Sequence, residues 1–249
     1  MHAQTRVIFH PGMRCFYDTE DKKKLKGITD KLRSTFYPSY RFANAPKGDS
    51  SGHPGVRAGA GRSRGRLVDR QVAAAVMGAK VRNPHPFTKL AITALKKSGL
   101  VPVASQVVVY DLEAGIATAV DVVVRDVDGS LATLELKCTS DSRFKSACGK
   151  MLGALAAWDD SIENQQIMQV QMTRVLYEKT YKTRARAYIL RVNAGGAYLT
   201  KVPRAADTPA AYAQLISSTE QPRKTRRPKS RAPRRQPTGL ARARGAPKA

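Results

Sequence analysis

The sequence predicts an α/β domain, and three observations favour this class. Two helical patterns precede a run of Val-rich segments, another helical pattern follows them, and further strand-like segments come after it. Apolar residues cluster or alternate in the strand-like segments, whereas they recur every three or four positions in the helical ones. The chain has 249 residues, which is enough for one such domain with a proper core.

The predicted elements follow one another in a regular order. The first helix begins after a Gly/Arg-rich stretch at residues 61–66 and runs to about Met77. A second helix covers residues 86–98 and ends at Gly99, because glycine favours the left-handed conformation that often follows a helix. The later elements are strands at residues 100–112, 116–125 and 131–138, a short helix at 151–158, a long helix at 161–181, strands at 187–192 and 197–202, and a short helix at 208–217.

Charged residues interrupt two neighbouring predicted strands. Asp121 precedes the apolar run at residues 122–124, and Glu135 and Lys137 lie on the next strand, after the turn at residues 126–130. Because alternate side chains of a strand share a face, Glu135 and Lys137 project together. Acidic groups on the strands of a small core are costly to bury unpaired, and a hard divalent cation with carboxylate ligands would remove that cost.

The spacing of Asp121, Glu135, Leu136 and Lys137 resembles the signature of the PD-(D/E)xK nuclease superfamily. The resemblance implies a restriction-endonuclease-like core, with a helix, a three-stranded mixed sheet segment, a helix and a strand, over residues 61–203. It implies that Asp121 and Glu135 bind Mg²⁺ or Mn²⁺, with the Leu136 backbone carbonyl as a third ligand. Lys137 would then position the attacking water for phosphodiester hydrolysis.

The helix after this motif carries glutamines four positions apart, Gln165 and Gln169, which therefore share a face. Together with Tyr177, this run is similar to the RecB-like and lambda-exonuclease-like branch of the superfamily, and to nuclease-like proteins of large eukaryotic DNA viruses. The resemblance thus implies a viral origin. The strict Gln-x-x-x-Tyr spacing of the RecB-like group is absent, so both glutamines remain catalytic candidates.

Asp69 is a further candidate metal ligand on the first predicted helix. It stands four residues after Gly65, where members of the same branch carry a metal-reaching side chain. Asp69 is also flanked by Arg66 and Arg70, so an ordinary ion pair on the helix surface is the alternative interpretation.

The charge balance indicates a polyanionic partner. The net charge is +25, and residues 221–249 contain eleven Lys or Arg and no acidic residue. That composition predicts a disordered basic tail within residues 204–249, and residues 1–60 are interpreted as a basic, partly flexible N-terminal extension of the nuclease-like domain. DNA is the expected partner, with RNA as an alternative, and the tail also reads as a nuclear-localisation segment, so a nuclear or cytoplasmic location is expected.

The predicted nucleic-acid contacts are basic residues beside the motif and in the tail. They are Arg64, Arg66, Arg143, Lys145, Lys150, Arg223, Lys224, Arg226, Arg227 and Lys229. Trp158, the only tryptophan, has two candidate roles: stacking on a base or packing in the core. No stretch approaches the ~20 apolar residues of a membrane span, and the scattered cysteines and histidines do not predict a disulfide or a zinc site.

Three functions remain open from the sequence. The first is a metal-dependent DNA nuclease, with either exonuclease or endonuclease action, in viral or recombination-type DNA processing. The second is a non-catalytic packaging or structural protein on a degenerate nuclease fold, and the third is an RNA-binding or ribosome-associated protein. Retention of Asp121, Glu135 and Lys137 together favours the nuclease. The sequence does not predict the oligomeric state.

Overall fold

The computed structural model describes residues 6–10, 15–38, 55–138 and 147–218. Its strands are β1 (Val7–His10), β2 (Cys15–Asp18), β3 (Lys24–Gly27), β4 (Val101–Asp111), β5 (Ile116–Arg125), β6 (Leu131–Cys138), β7 (Ala147–Lys150), β8 (Asp159–Ser161), β9 (Arg186–Asn193) and β10 (Gly196–Lys201). Its helices are α1 (Ile28–Phe36), α2 (Gly55–Val76), α3 (Pro86–Lys97), α4 (Ile162–Tyr181) and α5 (Thr208–Ser217). The α/β class predicted from the sequence is confirmed.

The ends of the main elements follow local sequence signals. The Ser161 hydroxyl accepts a hydrogen bond of 3.2 Å from the Asn164 N–H, which caps the start of α4. Gly99 adopts φ +74° just after α3, as expected of a residue that ends a helix. Gly129, with φ +84°, allows the turn in which the Asp126 N–H donates to the Ser130 carbonyl and joins β5 to β6.

One predicted helix, over residues 151–158, is not formed. This region contains a single 3₁₀ turn, Gly153–Leu155, between the short strands β7 and β8. The Met151 N–H donates to the Trp158 carbonyl at 2.9 Å, so the backbone closes a loop between the two strands instead of continuing as a helix. Gly153, with φ +59°, takes a left-handed conformation that an α-helix excludes.

The main sheet is mixed and contains eight strands. Its order is β1-β2-β3-β5-β6-β9-β10, and β4 pairs with β5 outside this path. The β3–β5 and β6–β9 pairs are parallel, while β5 is antiparallel to both β4 and β6. A separate two-stranded sheet is formed by β7 and β8.

Strand β5 is unusual because it has three partners. Residues Ile116 to Arg125 of β5 pair with β4, so β4 occupies one edge of β5 along its whole length. A strand has only two hydrogen-bonding edges, so β3 and β6 must share the other. There β3 meets residues 116–117 and β6 meets residues 122–125, which leaves residues 118–121 of this edge without a strand partner in the part of the chain described.

Helices cover both faces of the sheet and bury two apolar clusters. Helices α1, α4 and α5 enclose the larger one, which contains Phe36, Leu176 and Leu215, each with 0 % exposure. Helices α2 and α3 cover the other face, where Leu134 and Leu136 of β6 pack in the second cluster. Since successive side chains alternate, Glu135 and Lys137 face the opposite side, toward α4.

Residues 7–10 and 15–36 belong to this same sheet and core, which differs from the separate extension interpreted over residues 1–60. Strand β3 pairs directly with β5, and α1 buries Ile28, Leu32 and Phe36 completely. Likewise α5, at residues 208–217, packs Leu215 into the core beyond the boundary predicted at residue 203. Helix α2 begins at Gly55, inside the extension interpreted over residues 1–60, and the part of the predicted tail from residue 219 onward lies outside the described residues.

If α1 is part of the core, Phe36→Ala destabilises the whole domain. We expect it to lower the free energy of unfolding by about 3–5 kcal/mol, the usual effect of removing a buried phenylalanine. Urea denaturation measures this, and Lys23→Ala, at an exposed position, is the control that should change stability little. Equal stability of Phe36→Ala and wild type would contradict the packing of α1 in the core.

Candidate functional site

Acidic, basic and amide side chains converge where β5 and β6 stop pairing. The last paired residues are Val122 and Leu134, and the strands separate beyond them. The Leu136 N–H then donates to Asp121 Oδ2 at 2.8 Å, so a side-chain carboxylate takes the place of a strand partner. In an extended strand, the N–H and C=O of one residue point to the same side, so the Leu136 carbonyl also points toward the β5 side of β6.

Glu135, Lys137 and Gln169 form a closed triangle of hydrogen bonds between β6 and α4. Lys137 Nζ lies 2.7 Å from Glu135 Oε1 and 3.0 Å from Gln169 Oε1. The Gln169 amide nitrogen donates to the same Glu135 oxygen at 2.6 Å. Glu135 is only 6 % exposed, so these bonds satisfy a carboxylate that is mostly removed from water.

A third carboxylate, Asp69, reaches the same region from α2. Its Oδ1 accepts a hydrogen bond of 3.1 Å from the Gln106 amide nitrogen on β4. Gln106 has φ +53°, a conformation that residues other than glycine rarely adopt within a strand. The register places Gln106 opposite Asp121, where the β4–β5 ladder is interrupted. One residue with a strained backbone therefore lies next to the carboxylate cluster.

The charges of this cluster perturb one another. Burial raises the pKa of Asp121 well above its usual value, and the neighbouring carboxylates of Glu135 and Asp69 raise it further. Burial and the charge of Glu135 also raise the pKa of Asp69. For Lys137, burial lowers the pKa, but the carboxylates of Glu135 and Asp121 outweigh it, so the pKa is raised and the ammonium form is retained.

The two candidate glutamines have different surroundings. Gln169 contacts both Glu135 and Lys137, whereas the Gln165 amide nitrogen donates to Asp160 Oδ1 at 2.6 Å. The backbone carbonyl of Gln165 also accepts a hydrogen bond of 3.3 Å from the Tyr37 hydroxyl. The structure thus brings Gln169, and not Gln165, into contact with the Glu-x-Lys motif.

The predicted nucleic-acid contacts are scattered among the described residues. The Arg64 guanidinium lies 5.2 Å from the centre of the Phe87 ring, and the exposed Arg66 is on the same helix. Lys150 forms a 2.8 Å ion pair with Asp159 on β8. The remaining predicted contacts lie outside the described residues: Arg143, Lys145, Arg223, Lys224, Arg226, Arg227 and Lys229.

Trp158 combines core packing with one polar contact. Its ring packs partly against the larger apolar cluster, and its indole N–H donates to Asp207 Oδ2 at 2.9 Å. It also lines a cavity of about 190 Å³ between α4 and β9–β10. The core-packing role is thus present in the structure.

The sequence interpretation missed Gln106 and Arg33. Gln106 is hidden in a typical β-rich run, and its left-handed backbone has no sequence signal. Arg33, on α1, is close enough for its charge to lower the pKa of Lys137. The basic composition of the N-terminal region was the available signal for Arg33, but placing it beside the motif requires the non-local packing of α1.

Comparison with known proteins adds little. No protein-family model matches the chain, and no curated protein matches it. A solved structure described as the crystal structure of SSO0001 is 10 % identical, with a TM-score of 0.25, over 63 % of this chain and 86 % of that one. A TM-score this low carries no argument about fold or function.

Three carboxylates near one another, with hard oxygen donors, suit a divalent cation chemically. Among the residues described, no three His, Cys, Asp or Glu side chains are grouped closely enough to hold a metal by themselves. The donors that fit best are the Asp121 and Glu135 carboxylates with the carbonyl of Leu136, the residue after Glu135, because Asp121 already contacts the Leu136 backbone. No described helix is long and apolar enough to cross a membrane.

Because the pKa of Asp121 is raised, we predict that its charged form destabilises the folded protein at a pH above the ordinary Asp value. In the absence of metal, the folded state binds the Asp121 proton more tightly than the unfolded state, so wild-type stability falls as pH rises above the ordinary Asp value of 3.8. Asp121→Asn removes the charge and keeps an acceptor for the Leu136 N–H. At neutral pH with a chelator, we expect Asp121→Asn to be more stable by about 0.5–2 kcal/mol, the usual gain from relieving unfavourable surface or site charges.

Thermal unfolding of both proteins between acidic and neutral pH measures this difference. The difference in stability between Asp121→Asn and wild type should disappear as the pH falls to the ordinary Asp pKa of 3.8. Asp128→Asn is the control at an exposed turn, where the pKa is lowered by the Ser130 hydroxyl, so it should not stabilise the protein. A lower stability of Asp121→Asn at neutral pH would contradict the proposed carboxylate repulsion.

Proposed function

We propose that this protein is a metal-dependent nuclease of the PD-(D/E)xK type with a restriction-endonuclease-like core. The observation that carries the proposal is the contact of Gln169 on α4 with both Glu135 and Lys137, beside Asp121. A helix glutamine in contact with the Glu-x-Lys motif agrees with what the sequence resemblance implies. The mixed sheet with helices on both faces is compatible with that core.

Each residue has a proposed role. Asp121, Glu135 and the Leu136 carbonyl bind Mg²⁺ or Mn²⁺, with Asp69 as a candidate further ligand. The bound cation supplies charge neutralisation at the phosphodiester and a more acidic water. Lys137, which stays protonated beside Glu135, donates hydrogen bonds that orient the attacking water. Gln169 holds the Lys137 ammonium and the Glu135 carboxylate in place from α4.

DNA is the proposed substrate, with RNA as the alternative. The net charge of +25 supports binding of a polyanion through released counterions. Arg33 supplies positive charge close to Lys137, and Arg64 and Arg66 supply more on α2. The basic segment after residue 220 supports a nuclear or cytoplasmic location, and the resemblance supports a viral origin and a role in viral or recombination-type DNA processing.

The hydrogen bonds of Glu135 favour one second candidate, a non-catalytic nucleic-acid-binding protein. Its Oε1 already accepts from both Lys137 and Gln169, so the Glu135 carboxylate has hydrogen-bond partners without a metal. In that case the triangle is a structural link between β6 and α4, and the positive charge alone accounts for function. Cleavage assays separate the two candidates.

Single substitutions test the catalytic assignment. We expect Asp121→Asn, Glu135→Gln and Lys137→Met each to lower the rate of DNA cleavage at least about 100-fold, because each removes a charge that acts on the reacting groups. Cleavage of linear, nicked and single-stranded DNA with Mg²⁺ or Mn²⁺ is measured, with a gel shift at the same salt concentration. Cleavage that survives all three substitutions would contradict the site, and tight binding without cleavage by wild type would favour the binding protein.

Gln169→Ala and Gln165→Ala form a matched pair on the same helix face. Since only Gln169 contacts Glu135 and Lys137, we expect Gln169→Ala to slow cleavage by about tenfold or more, the effect of misplacing a catalytic group. Gln165→Ala should retain most of the activity, because Gln165 bonds to Asp160 instead. Melting temperatures of both variants separate activity from stability. Greater loss of activity in Gln165→Ala would reverse the assignment.

Metal removal gives an independent result. We expect EDTA to abolish cleavage and to leave DNA binding largely intact, because binding depends mainly on Lys and Arg. Mg²⁺ or Mn²⁺ should raise the melting temperature of wild type, since a ligand that binds only the folded state stabilises it, and should not raise that of Asp121→Asn. An equal rise in both proteins would show that the metal binds elsewhere.

A further inference from the structure

The cavity of about 190 Å³ that Trp158 lines lies beside the candidate catalytic site. Its lining includes Ile189 and Arg191, both on β9. Strand β9 pairs in parallel with β6, and the register places Arg191 opposite Lys137. Neighbouring strands of a sheet are about 4.8 Å apart, so the cavity begins one strand away from the Glu-x-Lys motif.

Arg191 connects the cavity with that motif. Residues opposite each other on neighbouring strands share a face, and Arg191, like Lys137, contacts α4. Its Nε donates to Gln166 Oε1 at 3.4 Å, and its Nη1 lies 3.5 Å from Glu163 Oε1. Both distances exceed the roughly 2.7–2.9 Å of a tight charge-assisted bond. Because a guanidinium has several N–H donors and 14 % of this side chain is exposed, Arg191 can also donate to a phosphate held near Lys137.

The walls of the cavity are mainly apolar, and one of them is aromatic. Ile167 of α4 lines it together with Ile189 and Val202, and these three residues pack in one apolar cluster. Trp158 supplies the aromatic wall, and its indole N–H donates to Asp207 Oδ2 at 2.9 Å, which fixes the orientation of the ring. Such walls suit a flat group whose faces are apolar.

The polar part of the lining suits the edge of such a group. Glu163 offers a carboxylate acceptor, and Arg191, Thr200 and Lys201 offer donors. A nucleobase combines flat apolar faces with donors and acceptors along its edge. The volume of about 190 Å³ is below the roughly 300–1,000 Å³ of sites for larger small molecules, so the cavity matches one base better than a larger ligand.

We propose that this cavity receives one unpaired base of a single-stranded substrate, while Arg191 binds the phosphate of that nucleotide beside the bond to be cleaved. The inference rests on the proposed nuclease function and adds the class of substrate, an unpaired strand or end. A base inside a duplex is paired and stacked, so it enters such a cavity only after it leaves the stack. Since every base has an aromatic face, Trp158 accepts all four without a strong sequence preference.

The fluorescence of Trp158 tests the proposal, because the chain has one tryptophan and a base in contact with an indole ring quenches its emission. The full chain is titrated in EDTA, which prevents cleavage, with a short single-stranded DNA and with a base-free strand of the same length and charge. We expect both strands to bind and only the strand with bases to quench. Equal quenching by the base-free strand, or quenching by neither, would overturn the proposal.

Two further ligands define the substrate class. A covalently closed circular duplex has no ends and should quench much less than the single strand at the same nucleotide concentration. Equal quenching by this duplex would overturn the requirement for an unpaired base. The free nucleotide dAMP should bind more weakly than the single strand, and equal affinity would assign the cavity to a mononucleotide instead of the substrate strand.

Two variants separate the base contact from the phosphate contact. Ala205→Leu fills the cavity, so it should abolish quenching and weaken binding of the single strand at least about fivefold, without changing the affinity for the base-free strand. Arg191→Met should weaken binding of both strands about tenfold, the loss expected for a charge-assisted bond. Thr200→Phe, at an exposed lining position, replaces Ala205→Leu if that variant does not fold.

Arg184→Met is the matched control for Arg191→Met. It removes one exposed positive charge that does not line the cavity, so it should bind and quench like wild type. Melting temperatures of all variants separate binding from stability. Wild-type affinity and quenching in both Ala205→Leu and Arg191→Met would show that the strand binds elsewhere and would overturn the proposal.

Cleavage separates this proposal from the function on which it rests. With Mg²⁺, Ala205→Leu should raise KM for single-stranded DNA and change kcat little, because the base contact is remote from the reacting groups. Quenching of wild type without cleavage under any metal would contradict the nuclease and leave the cavity as a single-strand site. Cleavage by wild type without quenching would contradict the cavity alone.

Discussion

The hydrogen bond from the Leu136 N–H to Asp121 determines the geometry of the candidate site. It forms because β3 and β6 share one edge of β5 and, in the described part of the chain, leave residues 118–121 without a strand partner on that edge. A backbone N–H at such a place needs an acceptor, and the Asp121 carboxylate provides it. With the end of β6 fixed in this way, Leu136 faces the α2–α3 cluster, and Glu135 and Lys137 face α4.

The opposite side of the site depends on how α4 is held. Met168, Met172 and Leu176 are fully buried in the larger cluster and recur at intervals of four residues. Gln169 follows Met168 directly, so the same packing that orders the helix also directs this amide toward Glu135 and Lys137. The position of a polar contact is thus set by neighbouring apolar residues, which restrict rotation and sliding of the helix against the sheet.

The sequence was sufficient for the elements whose signals are local. The bounds of β5, β6 and α5 agree with the prediction at both ends, because turn residues delimit the two strands and the Thr208-Pro209 pair starts the helix. The α/β class followed from the same patterns. The relation of Asp121 to Glu135 was also predictable in outline, since a hairpin brings residues on adjacent strands together.

The remainder depends on contacts between distant parts of the chain. Strands β1, β2 and β3 have only four residues each, so the pairing that joins them to one another and, through β3, to β5 has no local signal. The difference between Gln165 and Gln169 arises from the position of Asp160 and β6 around α4, which helical spacing alone does not specify. The left-handed Gln106 and the buried Arg174 likewise have no counterpart in composition or periodicity.

The contact between α1 and α5 has a consequence for synthesis of the chain. The Lys31 ammonium donates to the Leu215 carbonyl at 3.2 Å, across 184 residues. On a ribosome that adds roughly 5–20 residues per second, α1 therefore waits on the order of 10–40 seconds for the last helix that covers it. During that interval the apolar face of α1, which includes Phe36, lacks the part of its cover that Leu215 provides, so the packing of this early helix is completed only after the rest of the described domain has been synthesised.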